Sequence, residues 1–166
     1  MSFSLIPAFQ MRAVSDISKE FLSEHHIGLL MLDFDNTIVP YTTNVPTPEI
    51  QSWLESLSKI GITFCVVSNS KKPRVVEFCK KYNIPCITHA KKPFSRGIQQ
   101  ALNTMHYSGR AALAGDQIYT DVLGANAAGV VSILVKPIHL HNWPLKLRHV
   151  LELPFIAIGK RRMKHA

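Results

Sequence analysis

Gly28-Leu29-Leu30-Met31-Leu32-Asp33-Phe34-Asp35-Asn36-Thr37 is the stretch whose reading decides the fold. Its apolar run is short and does not alternate with polar residues, the pattern of a strand buried on both faces of a parallel sheet. The run ends on two aspartates one residue apart, at the strand end where open parallel sheets present their ligands.

Downstream the chain alternates strands and helices. Thr47-Pro48-Glu49 reads as an N-cap, a proline at the first helical position and an early acid. Ile50, Trp53, Leu54, Leu57 and Ile60 follow at helical spacing until Gly61 stops the helix. Ile62 to Val67 is a second buried strand. Pro73 opens a helix through Val75, Val76, Phe78, Cys79 and Tyr82, and Cys86 to Thr88 is a short strand. Pro93 opens a helix carrying Ile98, Leu102 and Met105. Ala111 to Gly115 and Val130 to Val135 are the last strands, with a helix over 119–128 between them. This order predicts right-handed βαβ crossovers and a three-layer, Rossmann-like α/β fold with a parallel central sheet. One domain is expected over residues 1–166. Its core is about 27–138, with the 1–26 segment and a basic 139–166 tail on the core or at a membrane surface.

Composition narrows the class. A chain of 166 residues buries about 68–70% of its unfolded surface and needs no staples. At 46% hydrophobic and 18% charged it is not a disordered sequence. Cys65, Cys79 and Cys86 form no CxxC pair, which excludes a disulfide scaffold or a cysteine zinc site. The eight histidines show no metal-binding spacing, His139 and His141 being the one His-x-His pair. Cys65, within a buried strand, reads as packing rather than as a nucleophile. No segment reaches the ~18–20 apolar residues of a membrane span, and Met1 to Pro7 lacks the marks of a signal peptide. The expected location is the cytoplasm, with contact at the inner face of a membrane at most.

The net charge is +8, unevenly spread. Residues 71–96 hold eight basic residues against Glu77 alone, and residues 136–166 hold seven against Glu152 alone. Such regions suit anionic partners: phosphate esters, nucleic acid or acidic lipid. Specific nucleic-acid binding is not expected, because no RNP, KH, zinc-finger or aromatic–basic pattern is present.

The acids converge. Asp33 and Asp35 end the first strand, and Asp116 and Asp121 follow the strand at 111–115. Four carboxylates at one sheet edge repel unless a cation balances them, and an all-oxygen donor set favours Mg²⁺ over zinc. Helix capping accounts for Asp121 but not for Asp33-Phe34-Asp35-Asn36-Thr37.

This DxDxT pentapeptide resembles the first motif of the haloacid dehalogenase (HAD) phosphatases. Ser68-Asn69 after the second strand resembles the second motif, Lys92-Pro93 before a helix the third, and Gly115-Asp116-Gln117 with Asp121 the fourth. Leu32 to Ile38, Ala90 to Pro93 and Gly115 to Asn126 are similar to the YqeG-type branch of HAD subfamily IIIA, which includes mitochondrial phosphatidylglycerophosphatase. The likeness runs from about Leu5 to Ile138.

The resemblance implies roles. Asp33 is the nucleophile that forms an aspartyl-phosphate, and Asp35 protonates the leaving oxygen and then activates water. Mg²⁺ is held by Asp33, the Asp35 carbonyl and Asp116, with Asp121 behind them. Ser68 and the Asn36 and Thr37 amides hold the phosphoryl oxygens, and Lys92 neutralises the transition state. Asn69 and Gln117 either touch phosphate or metal waters or hold loops.

HAD enzymes carry substrate-selecting caps in two places. Asp33 to Ser68 spans 35 positions and Ser68 to Lys92 spans 24, too few for either cap. The Val39–Pro46 loop is at most a small flap. An open site suits a phosphate on something large, or a partner subunit as lid, and oligomerisation stays open. Leu145, Leu147, Val150, Leu151 and Leu153 mix with Lys146, Arg148 and His149 ahead of Lys160 to Lys164. That tail either docks on an anionic membrane or packs on the core, and Pro154 breaks any single long helix through it. The expected activity is Mg²⁺-dependent phosphomonoester hydrolysis, with phosphatidylglycerophosphate, an anionic phospholipid, as the leading substrate. The alternatives are a phosphatase for a soluble sugar-phosphate or polynucleotide end, and a non-catalytic basic module that binds RNA or protein.

Overall fold

The computed structural model describes residues 3–139 and 152–159. Six parallel strands form one sheet: β1 (Phe9–Met11), β2 (Ile27–Leu32), β3 (Thr63–Val67), β4 (Cys86–Ile87), β5 (Arg110–Gly115) and β6 (Val131–Val135). Their spatial order is β1-β6-β5-β2-β3-β4. Helices α1 (Lys19–Glu24), α2 (Pro48–Lys59), α3 (Pro73–Lys81), α4 (Arg96–Thr104) and α5 (Leu123–Ala128) make the connections. The expected three-layer parallel α/β fold is the one observed, and among the described residues no second domain interrupts it.

β2 shows how its apolar run is used. Leu30 and Leu32 face one core with Phe64, Val66, Trp53, Leu57 and Phe78, under α1, α2 and α3. Leu29 and Met31 face the other with Cys65, Val67, Leu113, Ile98 and Ala125, under α4 and α5. Alternate residues therefore enter opposite layers, and each fully buried leucine contributes about 1.5–3 kcal/mol. The helix ends follow their sequence signals: Thr47 Oγ1 accepts the Ile50 amide at 3.3 Å, and Gly61 takes the left-handed φ of 83° just beyond α2.

The structure departs from the sequence reading in four places. β1 was not expected; three residues with a central glutamine carry no strand signal, and pairing with β6 (Phe9 to Ile133) creates it. α1 was also unforeseen, although Ser18 caps it by accepting the Phe21 amide at 3.1 Å. The helix expected from Pro93 starts at Arg96, because a turn closed by Phe94 N–H to the Lys91 carbonyl precedes it. The helix over 119–128 begins instead as a π-helical turn, Ile118–Val122, since the amides of Asp121 and Val122 both donate to the Gln117 carbonyl.

Part of the basic tail packs on the core. Residues 152–159 are helical, and Phe155 and Ile156 lie against Ile118, Val122 and Leu134. Buried Glu152 accepts the Ile118 amide at 3.0 Å. The remainder of the tail, including Leu145 to Leu151, Lys160 to Lys164 and His141, lies outside the described residues.

Candidate active site

The three adjacent strands β5, β2 and β3 end side by side, so their following residues share one edge. Asp33 continues the β2 ladder, its amide donating to the Ala114 carbonyl at 2.9 Å. Ser68 does the same from β3, with its amide on the Ile87 carbonyl at 2.9 Å. Asp116 follows Gly115 at the end of β5.

Carboxylate oxygens of Asp33, Asp116 and Asp121, all buried, lie within 4.8 Å of one another. Lys92 reaches this cluster with its Nζ 2.6 Å from Asp33 Oδ1 and 2.7 Å from Asp121 Oδ1. Three ionised carboxylates against one ammonium leave two negative charges in a dry site. Burial accordingly pushes the Asp33 carboxyl up to about 7, against the pull of Lys92 and with a further push from Asp121. Burial acts to neutralise Lys92 as well, but Asp121 and Asp33 outweigh it and hold its ammonium above the usual range. A divalent cation would supply the missing charge, and hard carboxylate oxygens are the donors Mg²⁺ takes. The residues present fit such an ion.

Several local devices hold this arrangement. The π-helical turn carries Asp121 inward, and Asp121 Oδ2 accepts the Gln117 amide at 3.1 Å. Gly115 is required beside it, since a Cβ there would overlap the Asp121 carboxylate. Asn69 grips the Lys92 backbone from both sides: its Nδ2 donates to the Lys92 carbonyl at 2.9 Å and its Oδ1 accepts the Lys92 amide at 2.7 Å. Gln117 reaches Asp116 Oδ1 at 3.4 Å and accepts the Thr120 hydroxyl at 3.2 Å. Of the two roles open to Asn69 and Gln117, these bonds fit loop-holding.

Asn36 is engaged within its own turn, its amide donating to the Val39 carbonyl at 2.7 Å. Its side chain donates to the His139 carbonyl at 2.6 Å and accepts the His139 amide at 3.1 Å, while its own carbonyl accepts from Ile138 at 3.0 Å. Asn36, at a left-handed φ of 67°, therefore fastens the Asp33–Asp35 turn to the chain leaving β6. Thr37 is buried and its Oγ1 has no partner, and Ser68 Oγ, also buried, accepts the Ser70 amide at 3.1 Å. Both hydroxyls keep a proton to donate.

Sequence reasoning missed Arg74. Near the start of α3, it places a guanidinium nitrogen 3.3 Å from Asp35 Oδ1. It also donates to the carbonyls of Pro40 (2.9 Å), Tyr41 (2.5 Å) and Thr43 (2.8 Å) and lies over the Phe34 ring. The Val39–Pro46 loop is thus pinned to α3. Partial burial raises the Asp35 carboxyl above its ordinary range, with Arg74 the main opposing influence.

A parallel sheet ending in an acidic cluster, with a lysine from a fourth loop, defines a HAD-type phosphatase. A 15%-identical HAD-superfamily hydrolase of Ehrlichia chaffeensis shares the fold at TM-score 0.52, over 78% of this chain and 98% of that one. A hypothetical protein of Xanthomonas campestris, 13% identical, aligns at TM-score 0.54 over 74% and 72%. In sequence, the chain is 33% identical over 134 residues to Probable phosphatase YqeG of Bacillus subtilis (strain 168), covering 80% of this chain and 78% of that protein. The family model described as mitochondrial PGP phosphatase matches residues 2–138, and the chain belongs to that family.

Proposed function

We propose that this phosphatase is a Mg²⁺-dependent phosphomonoesterase that converts phosphatidylglycerophosphate to phosphatidylglycerol through an aspartyl-phosphate on Asp33. The observation that carries the reading is Lys92 bridging Asp33 and Asp121 beside Asp116, a buried charge arrangement that suits a metal and a phosphoryl group together. Asp33, Asp116 and the Asp35 carbonyl would hold Mg²⁺, which supplies charge to the phosphoryl oxygens and orients them.

An Asp33 oxygen attacks phosphorus in line, the bond to the substrate oxygen breaks, and Asp35 gives that oxygen its proton. Asp35, now a carboxylate, takes a proton from water. The resulting hydroxide attacks phosphorus, and the bond to Asp33 breaks, returning a free carboxylate and inorganic phosphate. Burial raises the Asp35 carboxyl above its ordinary range, the direction a proton donor needs. Lys92, with the Ser68 and Thr37 hydroxyls, stabilises the equatorial oxygens.

Two observations support a lipid substrate at the inner face of a membrane. The matching family is described by that substrate, and the edge bearing the acids has an apolar and basic rim. Phe94 is 72% exposed, Val45 58% and Leu153 48%. Exposed Lys71, Lys72 and Lys91 leave the same ends of the sheet, as interfacial binding to anionic lipid favours. Among the described residues no helix is long and apolar enough to cross a membrane. The test is phosphate release from phosphatidylglycerophosphate vesicles against soluble monoesters, with and without Mg²⁺. Activity confined to soluble esters rejects the lipid substrate, and full activity after chelation rejects the metal.

A further inference from the structure

The acidic cluster has a neighbour. Asp116 also lines a cavity of about 590 Å³ between the ends of β1 and β6 and the 152–159 helix. Met11, Leu134, Leu153 and Ile156 make part of its wall apolar, while Arg12 and Lys136 bring two cations to it. Among the described residues neither cation has an acidic side chain within ion-pair distance. The wall is built rather than incidental. Gln10 Nε2 donates to the Ile156 carbonyl at 2.9 Å, and Glu152 of the same helix accepts the Ile118 amide. The volume falls within the range of small-ligand sites.

Lys92 already serves the acids, and among the described residues Arg12 and Lys136, both exposed, have no carboxylate to balance. We infer that the cavity is a second anion subsite, in which Arg12 and Lys136 take a phosphodiester carried by the same substrate whose monoester lies at Asp33. The apolar wall accepts the carbon chain attached to that diester. A bidentate guanidinium and an ammonium suit the two free oxygens of a diester. The inference rests on the phosphomonoesterase reading and adds which residues recognise the diester half of the substrate: Arg12 and Lys136, on the side of β6.

The test uses soluble compounds, so that acyl chains and membranes play no part. Wild type is expected to hydrolyse glycerophosphoglycerol phosphate with a kcat/KM about 10- to 100-fold above that for glycerol 3-phosphate. The Arg12→Gln/Lys136→Gln variant loses this preference to within about threefold and keeps its rate on glycerol 3-phosphate. A Lys80→Gln/Lys81→Gln control, with the same change in net charge on α3, keeps the preference. Equal rates on both esters in wild type, or equal losses on both in the Arg12/Lys136 variant, overturn the subsite. A second arm is independent of turnover: an NMR titration with glycerophosphoglycerol, which has the diester and no monoester. Shifts at the cavity residues in wild type but not in the double variant support the subsite. Absent shifts overturn it even if the enzyme is active, and retained shifts without hydrolysis of any monoester reject the phosphatase chemistry and not the subsite.

Discussion

The guanidinium of Arg74 lies 3.3 Å from Asp35 Oδ1 while its other hydrogen bonds end on Pro40, Tyr41 and Thr43. One side chain thus joins the expected acid–base residue to the loop that follows it. An ammonium cannot span three carbonyls and a carboxylate, so lysine is no substitute. Arg74→Ala should lower stability by about 2–3 kcal/mol, through lost charged hydrogen bonds. Limited proteolysis should then cut within residues 40–46. An unchanged melting temperature with an uncut loop would refute the pinning.

Asp33 and Lys92 should respond in opposite ways to removal. Asp33→Asn leaves Lys92 paired with Asp121, so the fold persists while turnover falls by several orders of magnitude. Lys92→Met leaves three buried acids without a counter-charge, and removing one partner of a buried pair costs about 3–5 kcal/mol. Thermal melts of Lys92→Met should recover part of that loss when Mg²⁺ replaces EDTA. A melting temperature indifferent to Mg²⁺ would count against the metal site.

Gly115 and Gly129 make a paired test. A Cβ at Gly115 would strike the Asp121 carboxylate, whereas Gly129, at φ 77°, has open space around it. Gly115→Ala should reduce kcat at least tenfold as Asp121 and Lys92 shift, with an overpacking cost of about 1–3 kcal/mol. Gly129→Ala should lose only stability, about 1 kcal/mol of left-handed strain, and keep its kcat. Equal activity losses in both variants would contradict the contact.

The thiols should also differ. Burial raises the Cys65 thiol to about 12 and lifts Cys79 as well, so at pH 8 neither holds an appreciable thiolate fraction. Iodoacetamide on the folded protein should modify half-buried Cys86 first, as peptide mass mapping can read. Early labelling of Cys65 would show that β3 opens more readily than its packing indicates.

Most of the fold was legible because buried parallel strands advertise themselves as unbroken apolar runs bounded by proline, glycine and acids. Asp33, Ser68 and Asp116 were legible together for the same reason, each following such a run. Arg74 was not: one arginine within a basic stretch has no local signature, and the carbonyls it binds lie 31 to 34 residues away. Asn36 reads locally as part of a phosphate motif, and its side-chain bonds to a residue 103 positions ahead leave no mark in that motif. β1 and the 152–159 helix are edge elements whose form comes from what they pair with. Long-range partners are what a local reading lacks.

The pairing of β1 with β6 sets an order in time. Phe9 lies beside Ile133, so on a ribosome the first strand made waits for the last. At about 5–20 residues per second, some 6–25 seconds separate the two. The Asp33–Asp35 turn waits longer still, since the residues that fasten it, Ile138 and His139, emerge after β6. A nascent chain can lay down the central strands early and still lack a fastened Asp33–Asp35 turn. The arrangement is complete only late, once β1 has met β6 and the residues after β6 have reached the Asp33–Asp35 turn.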